Sequence, residues 1–231
     1  DGASTPDEVD GRDATALVRM TLAMAWQSSL AALDHALRQR IQRGEALRDL
    51  LASGQQPTRA ALAAWVLDDG ATQLAWGALV GDVPIEAHRL REAHDAVTRH
   101  LAAVRALRGL VAPHIARDTA ARADALRTLL GEHPGERIVV FARSVVTVRA
   151  LHTAFRTDPG VVALTGDRVR SAAGRWTRAE VLRALGPAAP RWRADDPRQI
   201  RLLLTSDVLA EGVELTGVRI VVHADLPWTP A

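Results

Sequence analysis

Arg201-Leu202-Leu203-Leu204-Thr205-Ser206-Asp207-Val208-Leu209-Ala210-Glu211-Gly212-Val213-Glu214-Leu215 is the stretch on which the rest of the chain turns. Gly217-Val218-Arg219-Ile220-Val221-Val222-His223-Ala224-Asp225-Leu226-Pro227-Trp228-Thr229-Pro230 extends it. The pattern predicts an apolar strand, a polar turn, a one-turn helix and a second apolar strand. The unbroken run Leu202–Leu204 suits a strand covered on both faces, as in a parallel sheet. Thr205, Ser206 and Asp207 then stand at the carboxyl end of that strand. Open α/β sheets bind ligands along that edge. Taken alone, the string also fits an ordinary βαβ unit in which Gly212 merely turns the chain.

Working outward, the residues upstream repeat the alternation. Arg117–Leu130 has helical spacing and runs into the turn Gly131-Glu132-His133-Pro134-Gly135-Glu136. Arg137-Ile138-Val139-Val140-Phe141 predicts a strand leading into Ala142-Arg143-Ser144, and Val145–Phe155 a helix with Val148, Leu151 and Phe155 inward. Gly160–Leu164 predicts a second strand, ending in Thr165-Gly166. Thr177 is placed to cap the next helix, with Glu180 as its capping-box partner. Gly186–Gln199 reads as a loop. Strand, helix, strand, helix, strand, strand is the signature of a parallel α/β sheet.

Residues 14–116 read differently. Leu30, Leu33, Leu37 and Ile41 recur at steps of three and four, with Ser28 or Ser29 as the cap. Leu90, Val97, Leu101, Val104 and Val111 form a second stripe that reaches Pro113. The spacing predicts an all-helical subdomain, preceded by a flexible acidic segment at 1–13. His88, His94 and His100 lie six apart, and six residues turn a helix by about 600°, so the rings do not stack on one face. They are read as solvated rather than metal-binding, and Trp65 and Trp76 as core anchors.

The 231 residues, 48% of them hydrophobic, suffice for one large or two modest domains. No cysteine is present, which excludes disulfides, thiolate metal sites and thiol nucleophiles. No apolar run is long enough to span a membrane, and a cytoplasmic protein is expected. All 29 basic residues are arginine. A Walker A loop needs a lysine for the β/γ-phosphates, so this chain does not hydrolyse ATP by itself. The arginines are uneven: residues 143–198 hold 11 against 5 acidic residues, a footprint for a polyanion.

Thr205-Ser206-Asp207-Val208, Glu211-Gly212, Glu214-Leu215 and then Asp225-Leu226-Pro227-Trp228-Thr229-Pro230 resemble motif V and its extension in superfamily 2 nucleic-acid translocases, most of all the Swi/Snf-like DNA-dependent ATPases. Two positions depart from that pattern, Glu214 for Asn or Asp and Thr229 for Asn. The resemblance covers roughly 117–230 and implies a RecA-like parallel-sheet lobe, the second motor lobe, preceded by the helical subdomain. It further implies ATP and Mg2+ held mainly by a first RecA-like lobe, and DNA gripped through its backbone without sequence preference. Arg143, Ser144, Thr165, Gly166, Thr205 and Ser206 would form the DNA-facing row. Glu211, Gly212 and Glu214 would face the nucleotide, with Gly212 admitting a close backbone approach. The family's arginine-finger motif VI would follow directly on Pro230, so the chain is expected to be part of a larger motor, with no catalytic residue of its own. Protein partners could dock on the helical subdomain. An RNA helicase lobe and a non-catalytic protein-binding module are the competing readings.

Overall fold

The computed structural model describes residues 18–54, 87–166, 168–186, 196, 198–206 and 215–225. The chain divides into two compact units, one of residues 1–25 and 33–113, the other of 26–32 and 114–231.

In the first unit, helix α1 (18–28) contributes residues up to 25, α2 spans Leu30–Ala52, and α3 spans Ala87–Val111. Leu47 and Leu51 of α2 pack with Val97 and Leu101 of α3, and Leu90 and Ala93 flank them. The predicted α3 stripe is the buried one: Val97, Leu101, Val104 and Val111. Farther along the pair, buried Asp34 takes Arg38 one turn on and the Nε of Arg108 at 2.8 Å. Contacts thus run from early α2 to late α3 and from late α2 to early α3, an antiparallel pair. Burial pushes the Asp34 carboxyl up, but hydrogen bonds from Arg38 and Arg108 outweigh it and hold the group below the usual range.

His100 is not a solvated histidine. It is half-buried, and Arg40 Nε donates to its Nε2 at 2.7 Å, which requires a neutral ring. Burial, and then the charge of Arg40, hold its pKa below the ordinary value. An unfolded histidine titrates near ~6.5. Above that pH neither state is charged and the stabilisation is complete. As pH falls below it the unfolded chain takes up the proton first, and stability is lost. Melts of this unit are expected at lower temperature at about pH 5 than at about pH 7.5. An unchanged transition would show that the Arg40–His100 contact carries no weight.

The second unit is α/β. Helix α4 (Ile115–Glu132) follows a 3-10 turn at Ala112–His114. Then come β1 (Ile138–Ala142), α5 (Val145–Ala154), β2 (Val161–Thr165), β3 (Arg168–Ser171), α6 (Arg178–Leu185), β4 (Leu202–Ser206) and β5 (Ile220–His223). Sheet order is β3-β2-β4-β1-β5. β2, β4, β1 and β5 are parallel, and β3 runs antiparallel on the outer edge. This is the RecA-like arrangement expected, with one addition: residues 168–171, to which the sequence pattern assigned no element, make a fifth strand, and the sheet is mixed. β3 alternates exposed and half-buried residues because only one face is covered.

The apolar runs of β1, β2 and β4 are covered because both faces are packed. Val148, Leu151 and Phe155 of α5, with Ala123 and Leu126 of α4, cover Ile138, Val140, Val161, Ala163, Leu202 and Leu204. Val181, Ala184 and Leu185 of α6 cover the alternate residues Val139, Val162, Leu164 and Leu203. The capping box at α6 is formed as predicted, Thr177 Oγ1 accepting from Glu180 N–H and the Glu180 carboxylate from Thr177 N–H.

Residues 26–32 group with this unit rather than with the helical one. Ser29 caps α2, accepting from Ala32 N–H at 3.0 Å. The buried hydroxyls of Ser28 and Ser29 both meet Thr147 Oγ1 on α5, at 2.8 and 2.7 Å. Leu30 N–H donates to the Asp118 carboxylate of α4 at 3.2 Å.

Candidate nucleic-acid interface

The carboxyl edge of the sheet is where the expected row converges. β1 and β4 are neighbours and parallel. After β1 the chain enters α5 on one face, whereas Leu215 and Val218, between β4 and β5, pack on the α6 face. The carboxyl ends of the strands are the usual ligand position in such sheets. Ala142 and Ser206, paired in register, end the two strands there.

Ser144 caps α5, its hydroxyl oxygen accepting from Val146 N–H at 3.2 Å. Its own proton remains available to a ligand oxygen at a helix end that favours negative charge. Arg143 is fixed through its backbone, whose N–H donates to Asp225 Oδ2 at 2.7 Å. The end of β5 is held in turn by Arg122, which donates to Ala224 O at 2.7 Å and to Asp118 at 3.1 Å. At the end of β2, Thr165 is half-buried and Gly166 exposed, and Arg178 Nη1 donates to Gly166 O at 3.0 Å.

Thr205 and Ser206 are placed otherwise than a surface row requires. Thr205 is 0% exposed, and its hydroxyl donates to Leu164 O at 3.0 Å, joining β4 to β2. Ser206 is 3% exposed, and its Oγ has no hydrogen-bond partner. A buried hydroxyl without a partner costs free energy that a ligand or water would recover. Ser144, Thr165 and Gly166 therefore reach the surface of this edge, while Thr205 lies beneath it as a strand tie. Glu211, Gly212 and Glu214 lie outside the described residues.

Sequence reading missed the positioners Arg122 and Asp225, and took Arg178, with the other arginines of 168–178, only as added charge. Asp225 had a signal, since it opens Asp225-Leu226-Pro227-Trp228; the arginines had none beyond charge. Among the described residues, no cluster of three or more His, Asp or Glu is arranged to hold a metal. Nor is any described helix long and apolar enough to cross a membrane.

Residues 121–231 match the helicase conserved C-terminal domain family. Over 106 residues the chain is 29% identical to the ATP-dependent RNA helicase MAK5 of Pyricularia oryzae. The match takes in 45% of this chain and 12% of that protein, so the chain spans a small part of its relative's length. No solved structure matches. The mostly parallel five-stranded sheet and the family match coincide in one unit: residues 121–231 are a helicase conserved C-terminal domain, the C-terminal lobe of a superfamily 2 helicase.

Proposed function

We propose that this chain serves an ATP-dependent DNA translocase of the Swi/Snf-like group, gripping the sugar-phosphate backbone and completing part of an ATP site shared with a first RecA-like lobe. The observation that carries the reading is the helicase-domain match over a sheet edge that presents Ser144, Thr165 and Gly166 together. Backbone grip needs hydroxyls and helix N-termini rather than base readout, because phosphate contacts position without specifying sequence. Ser144 at the start of α5 supplies both. Thr205 supports the grip by tying β4 to β2. Arg143 adds charge at the edge.

Mg2+-bound ATP, when held by the first lobe, supplies the phosphoryl group whose transfer to water drives movement. From this chain, Glu211, Gly212 and Glu214 would face it, by their place in the motif. Preference for DNA rests on Asp225-Leu226-Pro227-Trp228, which resembles the Swi/Snf-like signature. A second reading, an RNA helicase lobe, is favoured by the similarity to a protein named as an RNA helicase.

This chain alone is expected to release no phosphate from ATP, with or without nucleic acid, because it holds no lysine for a Walker loop. Joined to its first lobe, it should hydrolyse ATP with stronger stimulation by DNA than by RNA of equal length. Release by the isolated chain would refute the shared-site reading, and stronger stimulation by RNA would favour the second.

A further inference from the structure

Beyond the carboxyl edge, the outer side of the sheet carries a cationic groove that no motif explains. It lies around Trp176, in the loop between β3 and α6. One side is a cleft of ≈ 570 Å³ bounded by Arg170, Arg175, Trp176 and His152. The other, of ≈ 390 Å³, is bounded by Arg175, Trp176, Arg183 and Arg198. Trp176 stands between them, packed against the α6-side core yet only half-buried.

Four arginines thus flank one indole. All four are exposed, and among the described residues none has a carboxylate within ion-pairing distance. The one carboxylate lining the groove, Glu180, is bonded within its own helix cap, and Arg183 and Arg198 lie near enough for their charges to favour its ionised form. The carboxylate accepts from Thr177 N–H at 2.7 Å and from the Thr177 hydroxyl at 2.8 Å. Arg122 and Arg127 of the same unit are by contrast ion-paired, Arg122 with Asp118 and Arg127 with Asp124 and Asp158. Four arginines left together beside an aromatic face form a surface complementary to a chain of phosphates carrying planar bases.

Topology places the groove next to the sheet edge. β3 starts opposite Thr165, with Arg168 paired to it, and descends to Ser171 opposite Val162. The loop then climbs back, and Arg178 at the head of α6 bonds Gly166. A strand leaving Thr165-Gly166 therefore meets Arg168, Arg170 and Trp176 next.

We propose that this groove binds single-stranded nucleic acid, with phosphates on Arg170, Arg175, Arg183 and Arg198 and one unpaired base stacked on Trp176. The site extends the track of the motor lobe, and its choice of ligand rests on the helicase reading. Charge complementarity alone would also admit an acidic peptide; the indole and the neighbouring edge favour the nucleic acid.

The test is fluorescence-anisotropy titration of the 231-residue chain with a labelled oligothymidine across a salt series. Arg170→Ala/Arg175→Ala should reduce the slope of log affinity against log salt by about 1.4, each single-strand phosphate contact contributing about 0.7. Trp176→Leu should weaken binding about tenfold with the slope unchanged, because stacking releases no counterion. The arginines are exposed and their removal should leave the melting transition in place, so the double variant decides the matter even if Trp176→Leu misfolds. Ser144→Ala/Thr165→Val is titrated in parallel. If only the edge pair loses affinity, the groove is not a nucleic-acid site while the edge reading stands. If only the groove variants lose affinity, the groove stands and the edge reading falls. Polyglutamate displacing the oligonucleotide as well as unlabelled oligothymidine of equal charge would overturn the assignment of the occupant.

Discussion

Phe155→Ala is expected to destabilise the α/β unit by about 3–5 kcal/mol, the range for emptying a large aromatic site. Phe155 is 1% exposed and heads the fully buried side chains by volume. It closes the end of α5 over the cluster formed by Ala123, Leu126, Val161 and Leu202, so the space left has packed walls on every side. Against a whole-domain stability of about 5–15 kcal/mol, that loss brings the unit near its threshold. The ring has a second partner: the Arg127 guanidinium lies 4.7 Å from its centroid, held there by Asp124, Asp158 and Ala154 O. A cation over a ring near the surface contributes about 0.5–1 kcal/mol. Phe155→Leu keeps most of the volume and should cost much less than the alanine. Urea unfolding followed by circular dichroism measures both. A loss of less than ~2 kcal/mol for the alanine would mean that the helix ends collapse into the space. If the helical residues 14–116 unfold separately from the α/β lobe, the helical transition should stay in place while the α/β transition moves. A common shift of both would refute separability.

The sequence announced the strands packed on both sides. Leu202–Leu204, Ile138–Phe141 and Val161–Leu164 are unbroken apolar runs, and only double-sided burial keeps such runs out of water. Caps were legible for the same reason that they work: Ser29 and Thr177 stand one residue before a periodic stretch, with Glu180 at the reciprocal position. β3 was not legible. Arg168-Val169-Arg170-Ser171 has one apolar residue in four, and its strand form comes from backbone pairing with β2 rather than from burial. Side-chain direction at the candidate edge was hidden as well. A run of Thr205 and Ser206 marks a strand end but not whether the hydroxyls reach solvent. The register, Phe141 beside Thr205 beside Leu164, puts Thr205 under cover. His100 was misjudged because its partner, Arg40, is sixty residues away in sequence. The Trp176 groove is assembled from β3, α6 and Arg198, so no local string could signal it.

Gly160→Ala is expected to be the most damaging glycine-to-alanine change among the described glycines, costing more than about 3 kcal/mol. Gly160 has φ +76, where a side chain already costs about 1–3 kcal/mol. An added Cβ would also fall 2.6 Å from Gln199 O, and a backbone oxygen cannot step aside as a flexible side chain can. The position sets the β2–β4 register: Gly160 O accepts from Arg201 N–H at 2.9 Å and from Leu202 N–H at 3.1 Å. Moving Gln199 away pulls on the start of β4, the strand that ends in Thr205 and Ser206. The Thr205–Leu164 bond spans the same two strands at their other end, so strain at Gly160 should reach the candidate edge. Gly135→Ala provides the comparison. Its φ is +90, but a Cβ there meets nothing within 4 Å, so only the backbone term remains, about 1–3 kcal/mol. The difference between the two variants in urea unfolding measures the close approach at Gly160. Equal losses would show that Gln199 yields freely and that this turn does not fix the register. A larger loss at Gly160, together with weaker oligonucleotide binding than Gly135→Ala at matched folded fraction, would tie the turn at the amino end of the sheet to the grip at its carboxyl end.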